Sequence, residues 1–277
     1  MTLGDWKAWI GRSQVAEDVV TPRLIKSFKA TLAPHLAEVG PKAPLGLHWC
    51  LAPDIVEAAK LGNDGHPAKG DFLPPVPLPK RMAAGGTLTL LSPLISGDRV
   101  ERRSTITSVE EKTGRSGPLC FITVHHDIAT DRGLAFQEAQ SIVYRDEVGN
   151  SAKTGDAEMP RESSGFSREV VIDPVLLFRY SALTFNGHRI HYDAPYAVHE
   201  EHYPGLIVHG PLQATYLLNF AAEIARLSPR KFSFRALHAA TGLAKIHLKA
   251  RRRPGDAATL WIEDLAGRVT MKAETEW

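Results

Sequence analysis

Five of the chain's 12 histidines, His188, His191, His199, His202 and His209, fall between residues 188 and 209. An imidazole accepts or donates a proton near neutral pH because its unperturbed pKa is about 6.5. Three kinds of chemistry compete for such a cluster. His199 and His202 stand beside Glu200 and Glu201, a pattern expected of a solvated face. His188/His191 and His199/His202 are each three residues apart, but H-x-x-H alone lacks the partner pattern of a zinc site, so no metal is expected. Acid–base work needs an imidazole, a polar group that places a water, and donors for a developing oxyanion. In FNGHRIHYD and GLIVHGPLQ these are His191, Asn186 and the backbone N–H groups where the second segment enters a helix. Taken alone, Asn186 reads equally as a turn residue, since Asn-Gly is a frequent turn pair.

The elements that must hold these groups can be read on either side. Asp173-Pro174 is a helix start signal ahead of VLLFRYSAL. Pro211 suits the first turn of GPLQATYLLNFAAEIARL, a helix apolar on most sides and interrupted by Gln213, Asn219, Glu223 and Arg226. Such a helix is expected to be buried. Strands follow: Ile246 and Leu248 alternate with charged neighbours, as do Val269, Met271, Ala273 and Thr275 with Arg268, Thr270, Lys272 and Glu274.

The first half shows a helix-like segment around Trp6 and Trp9 and a loop-rich tract from Gly62 to Lys80. From Gly86 the pattern is that of strands. Cys120, Ile122, Val124 and Ile128 share one face, and Leu134, Phe136, Ile142 and Tyr144 share another. A polar segment from Glu147 to Ser167 reads as a linker. Gly97-Asp98 and Gly255-Asp256 each open a strand, a weak echo of duplication. A buried helix followed by antiparallel strands makes an α+β fold, and no Gly-rich phosphate loop is present.

A length of 277 residues allows one large domain or two modest ones, and 43% hydrophobic content is that of a globular protein. A net charge of +2 gives no reason to expect a nucleic-acid partner. No leader and no run of about 18 apolar residues is visible, so a cytoplasmic protein without a membrane span is expected. Cys50 and Cys120 could pair but form no framework.

The run FRYSALTFNGHRIHYDAPYAVHEEHYPGLIVHGPLQATYLL, residues 178–218, resembles the hydratase motif of MaoC-like and related hydroxyacyl-thioester dehydratases. FLPPVPLPKRMAAGG, GRSGPLCFITVHHDI and SIVYRDE resemble the N-terminal portion of the methylfumaryl-CoA and itaconyl-CoA hydratase group. This resemblance implies a double hot-dog: a degenerate N-terminal unit at 1–150 and a catalytic unit at 165–277, each a sheet wrapped around a long helix. It also implies hydration of an enoyl-CoA thioester without a cofactor, on a methyl-branched dicarboxylic acyl group such as itaconyl- or mesaconyl-CoA. The carrier is expected to be CoA or acyl carrier protein, and a homodimer is plausible by the same resemblance.

Carried over by position, His191 matches the family's catalytic histidine and Gly210 the glycine whose N–H polarises the thioester carbonyl. Asn186 stands where the family has aspartate, His188 where it has asparagine, and Arg189 where it has proline. An amide can hold a water but cannot take its proton, so His191 is expected to carry the proton chemistry. Arg189 is a candidate reader of a substrate carboxylate, with the surface arginine as the equal alternative. His188, Tyr192 and His209 are further candidates for substrate contact. The basic runs Lys80-Arg81 and Arg251-Arg252-Arg253 could meet CoA phosphates or be solvated faces. The competing functions are an acyl-carrier-protein dehydratase, a hot-dog thioesterase and a non-catalytic acyl-binding subunit.

Overall fold

VVTPRLIKSFKATL and VVIDPVLLFRYSALT start the two halves of the fold in the same way. In the computed structural model, which describes residues 6–38, 40, 42–114, 117–146 and 165–277, each leads from a strand into an 11-residue helix. The Thr21 hydroxyl accepts the Leu24 N–H at one helix start, and the Asp173 carboxylate accepts the Leu176 N–H at the other. Proline follows at both caps, where its missing N–H costs nothing. Each cap is worth about 1 kcal/mol.

The first half runs β1 (Ser13–Val19), α1 (Pro22–Leu32), β2 (Lys80–Leu90), β3 (Arg99–Gly114), β4 (Gly117–Thr130) and β5 (Gly133–Arg145). The second runs β6 (Phe166–Val171), α2 (Pro174–Thr184), α3 (Ala194–His199), α4 (Gly210–Ala225), β7 (Lys231–Ala236), β8 (Lys245–Arg253), β9 (Ala257–Glu263) and β10 (Val269–Glu276). The ten described strands form one antiparallel sheet, in the order β1-β3-β4-β5-β2-β7-β10-β9-β8-β6. Read outward from its centre, each half has the same order. The halves meet where β2 pairs with β7, Gly86 opposite Phe234. At this seam a Cβ on Gly85 would collide with the Phe234 carbonyl, so glycine permits the close approach.

The halves differ in what fills them. Residues Leu212 to Ala222 of α4 are all buried, and the helix packs on β8, β9 and β10. Between α1 and β2 the described chain has only 3-10 turns at Leu47–Cys50 and Ala58–Lys60. The long helix expected in each unit therefore exists in the second. The proline- and glycine-rich tract of the first breaks any helical ladder there.

Several finer expectations shift. Cys120, Ile122, Val124 and Ile128 are buried, but Leu134 is exposed because β5 changes register opposite Ile128 and Ala129. A bulge between Val269 and Met271 buries Thr270, against the simple alternation. The two Gly-Asp pairs precede β3 and β9, which occupy different places in their halves, so the repeat lies in the strand–helix openings instead. β2 begins at Lys80, ahead of Gly86, and Trp6–Trp9 is a 3-10 turn. Both cysteines are free and buried. The linker expected at 147–167 lies outside the described residues up to 164, and β6 takes its end. Among the described residues no helix is long and apolar enough to cross a membrane.

Candidate active site

His191 lies at the end of a 3-10 turn, Arg189–His191, between α2 and α3. Its position is set by one residue of the strand-like segment before α4. Ile207 donates its N–H to the Ile190 carbonyl at 2.9 Å, and the Ile207 carbonyl lies 2.8 Å from His191 Nδ1. A carbonyl only accepts, so Nδ1 carries the proton and Nε2 the lone pair. Burial, and then the neighbouring His209, hold this imidazole well below the usual histidine range. It is a neutral base at pH 7. His191 lines a cavity of about 360 Å³ together with His66, Arg81, Asn186, His188 and Gly210.

Asn186 follows the left-handed Phe185 that ends α2. Its Oδ1 accepts the His188 N–H at 3.0 Å, so the turn expected of Asn-Gly is formed. Its Nδ2 has no partner among the described residues. Asn186 also lines a second cavity of about 720 Å³, which adjoins the first at His66, Gln140, Asn186 and Pro211. The amide thus stands at the junction of two chambers.

Gly210 is the first residue of α4, and no side chain caps that helix start. The Gly210 N–H has no acceptor among the described residues. A Cβ at this position would meet nothing closer than Ala83, at 3.9 Å, and its φ is not in the left-handed region. Neither the backbone nor the packing requires glycine there. A bare N–H at a helix start suits an anionic oxygen.

The remaining candidates separate. His188 is buried, with Nε2 3.2 Å from Glu201, whose side chain is itself 12% exposed. His199, Glu200 and His202 are exposed as expected; Glu201 departs from that expectation. His209 is fully buried, stacked on His191 at 3.6 Å between ring centres, and 2.8 Å from Ser181 Oγ. It lines neither cavity, and its place is against His191 rather than in a cavity wall. Tyr192 is exposed at the larger cavity, its hydroxyl donating to the Gly187 carbonyl. Arg189 grips Asp193 through two nitrogens at 3.0 and 2.8 Å, donates to the Asn63 carbonyl and lies 4.1 Å over the Tyr196 ring. Its guanidinium is thus engaged by Asp193 and by the Asn63 carbonyl of the first half's loop tract, and it lines neither cavity.

The loop tract of the first half contributes a residue the sequence did not single out. Gly65, in the left-handed region at φ +84°, and Gly187 approach so closely that a Cβ on Gly65 would collide with the Gly187 carbonyl. The Arg189 N–H is bound to the Asp64 carbonyl. This clamp sets His66 4.2 Å from His188, ring to ring. Asp64, His66 and His188 bring three potential ligand atoms within 4.8 Å of one another, a different trio from the H-x-x-H pairs. The charge of Arg81 acts on Asp64 and His66, which disfavours a second cation there. Of the basic runs, Lys80 is buried and donates to the Glu201 carbonyl, and Arg81 lines the smaller cavity. Arg252 and Arg253 are exposed on β8, where Arg253 lies 3.5 Å from Glu274, and the run lines neither cavity.

Known proteins share this arrangement of sequence and fold. The sequence profile of the hydroxyacyl-thioester dehydratase type 2 family matches residues 46–241. The mesaconyl-C(4)-CoA hydratase of Chloroflexus aurantiacus is 40% identical over 278 aligned positions, covering 100% of this chain and 99% of that one. In fold, the chain is similar to HtdX of Mycobacterium tuberculosis, with a TM-score of 0.67 at 18% identity, covering 95% of this chain and 99% of that one. A second Mycobacterium tuberculosis protein, with a double hot-dog fold, has a TM-score of 0.58 at 12% identity over 98% of this chain and 97% of that one. The ten-stranded sheet is thus a double hot-dog of the α+β class, and the chain belongs to the hydroxyacyl-thioester dehydratase type 2 family.

Proposed function

We propose that the chain adds water across the double bond of an enoyl-CoA thioester, giving the 3-hydroxyacyl-CoA, with a methyl-branched dicarboxylic acyl group of the mesaconyl class as substrate. The observation that carries this is the His191 tautomer. With Nδ1–H held by the Ile207 carbonyl, Nε2 is an unprotonated base in the same cavity as Asn186 and Gly210. The 40% identical relative, a hydratase by name, supports the substrate class. In this reading residues 165–277 form the unit with the proton chemistry and residues 1–150 the unit without it.

The thioester carbonyl accepts the Gly210 N–H, which draws electron density from the double bond and leaves the β-carbon electrophilic. Asn186 Nδ2 holds the water near that carbon. Nε2 of His191 takes a proton as the water oxygen bonds to the β-carbon, and the C=C electron pair moves to the α-carbon and thioester oxygen. The same imidazolium then returns its proton to the α-carbon, so no net proton is consumed. The transient charge on His191 is met by the Ile207 carbonyl, which favours the protonated ring. A thioesterase would need a carboxylate aimed at the thioester carbon, and Glu201 is engaged by His188 instead.

His191→Ala is expected to lower kcat by about 10³-fold, within the range typical of lost general base catalysis, with the protein still folded. Near-normal kcat in folded His191→Ala would rule the mechanism out.

A further inference from the structure

The larger cavity has a polar inner wall that the hydration chemistry leaves unused. On this face of the sheet one cross-strand row runs Arg102, Ile128 and Phe136, and another pairs Val124 with Gln140. Between them runs a polar row, Ser104 opposite His126 and His126 opposite Glu138. His126 is satisfied by its neighbours, Ser104 Oγ at 2.8 Å and Gln140 Oε1 at 3.3 Å. The rest is not. His48, 3% exposed and stacked on Phe136, has no hydrogen-bond partner for either ring nitrogen. Arg102 pairs one terminal nitrogen with Asp54 at 2.7 Å and leaves its buried Nε–H without an acceptor. Glu138, also 3% exposed, is held by the Trp49 indole N–H, 3.1 Å from each carboxyl oxygen.

Burying polar atoms without partners costs on the order of 1–3 kcal/mol each, and an apolar side chain could fill the same space. Their retention in a cavity wall points to a polar ligand group. The protonation states say which kind. Burial pushes His48 down to about 3, so it is neutral and has one N–H to give. Burial pushes Glu138 up to about 7, so near neutral pH its carboxyl carries a proton for a substantial part of the time. Arg102, His48 and Glu138 thus offer N–H, N–H and O–H donors, and an anion with several acceptor oxygens is their complement.

We infer that Arg102, His48 and Glu138 form a subsite for the free carboxylate of a dicarboxylic mono-thioester. The inference rests on the hydration reading for the position of the thioester at Gly210. From there the acyl group passes Asn186 and Pro211, which belong to both cavities, and enters the larger chamber. Arg102 thereby takes the role that the sequence suggested for Arg189.

Calorimetric titration with two unreactive thioesters, succinyl-CoA with a free carboxylate and butyryl-CoA without one, tests this independently of turnover. The wild-type chain should bind succinyl-CoA more tightly than butyryl-CoA. In His48→Phe, which keeps the ring stacked on Phe136, and in Arg102→Gln, succinyl-CoA should weaken about 10- to 100-fold while butyryl-CoA stays within about threefold. Glu138→Leu, which keeps the bulk but offers no donor, should also weaken succinyl-CoA selectively, and the unchanged butyryl-CoA affinity of each variant is the check on folding. No preference for succinyl-CoA in the wild type, equal weakening of both ligands, or loss of the preference in Arg81→Gln rather than Arg102→Gln would each overturn the subsite. Failure of hydration with the selective binding intact would instead remove the reaction and leave the subsite standing.

Discussion

The two halves of this chain share a strand order and an opening strand–helix unit, yet they place polar groups in different ways. In the second half a helix buried along most of its length, α4, aims an uncapped N-terminus at a cavity, and a short turn brings His191 to the same space. In the first half no comparable helix exists among the described residues; those between 33 and 79 run over the sheet as loops and short turns. His48, Ala58 and Leu61 of that tract line the larger cavity, together with Arg102 and Glu138 of the sheet. One topology therefore supports two kinds of site. In the reading proposed above, the half with the helix polarises the thioester carbonyl and the half without it takes the end of the acyl chain.

The largest effect that sharpens this contrast is on acid stability. Burial lowers His66 and His126 to about 4, His48 and His209 to about 3, and His191 well below its ordinary range. Above about pH 6.5 these rings are neutral in both folded and unfolded chains. Below it the unfolded chain takes up protons that the folded chain refuses, so stability falls by about 1.4 kcal/mol per histidine per pH unit. Glu138 acts in the opposite sense between 4.5 and about 7, because the folded carboxyl keeps a proton that the unfolded one loses. It offsets roughly one histidine. Denaturant melts at pH 7 and pH 5.5 should differ by several kcal/mol, and a flat profile would mean that these rings are not buried neutral.

Gly210→Ala should come next. The new methyl meets only Ala83 at ordinary contact distance, so the melting temperature should hardly move. It would crowd the thioester oxygen against the N–H, and kcat/KM should fall about 10- to 100-fold. Loss of stability with kcat/KM preserved would instead make Gly210 a packing residue. Asn186→Asp should remain within about threefold of the wild-type kcat or exceed it, since a carboxylate can still accept the His188 N–H. The smallest effect is expected for Arg189→Ala, whose guanidinium is bound to Asp193 and to the Asn63 carbonyl of the facing loop. Its kcat/KM on dicarboxylic and simple enoyl-CoA should change equally, by less than about threefold; a selective loss on the dicarboxylic substrate would return that role to Arg189.

Much of the second half could be read from residue order. Asp173-Pro174, the apolar run after Pro211 and the alternation in β8 mark local preferences that the tertiary structure keeps. That His191 and Gly210 share a cavity was legible because both lie in one contiguous stretch of the chain. What escaped was set by contacts distant in sequence. His66 meets His188 through a pair of glycines that interlock only when two loops fold together. Glu201, beside exposed Glu200, turns inward to His188. His48 and Glu138 lie 90 positions apart and share a cavity because the Leu47–Cys50 turn packs on β5, His48 against Phe136 and Trp49 against Glu138. Bulges at Ala129 and Val269 shifted burial by one residue, which periodicity alone does not reveal. The missing helix of the first half was foreshadowed by its prolines, although the family resemblance suggested otherwise.

The central claim, that the imidazole half adds water to an enoyl thioester, is tested most directly by following the oxygen. Wild-type protein is incubated with crotonyl-, itaconyl- and mesaconyl-CoA in oxygen-18 water, and products are read by mass spectrometry alongside the absorbance of the conjugated thioester. The account predicts that this absorbance is lost and that a labelled hydroxyacyl product accumulates with its CoA still attached. Label found in a free acid with release of CoA thiol, or an unchanged absorbance with all three thioesters, would contradict it.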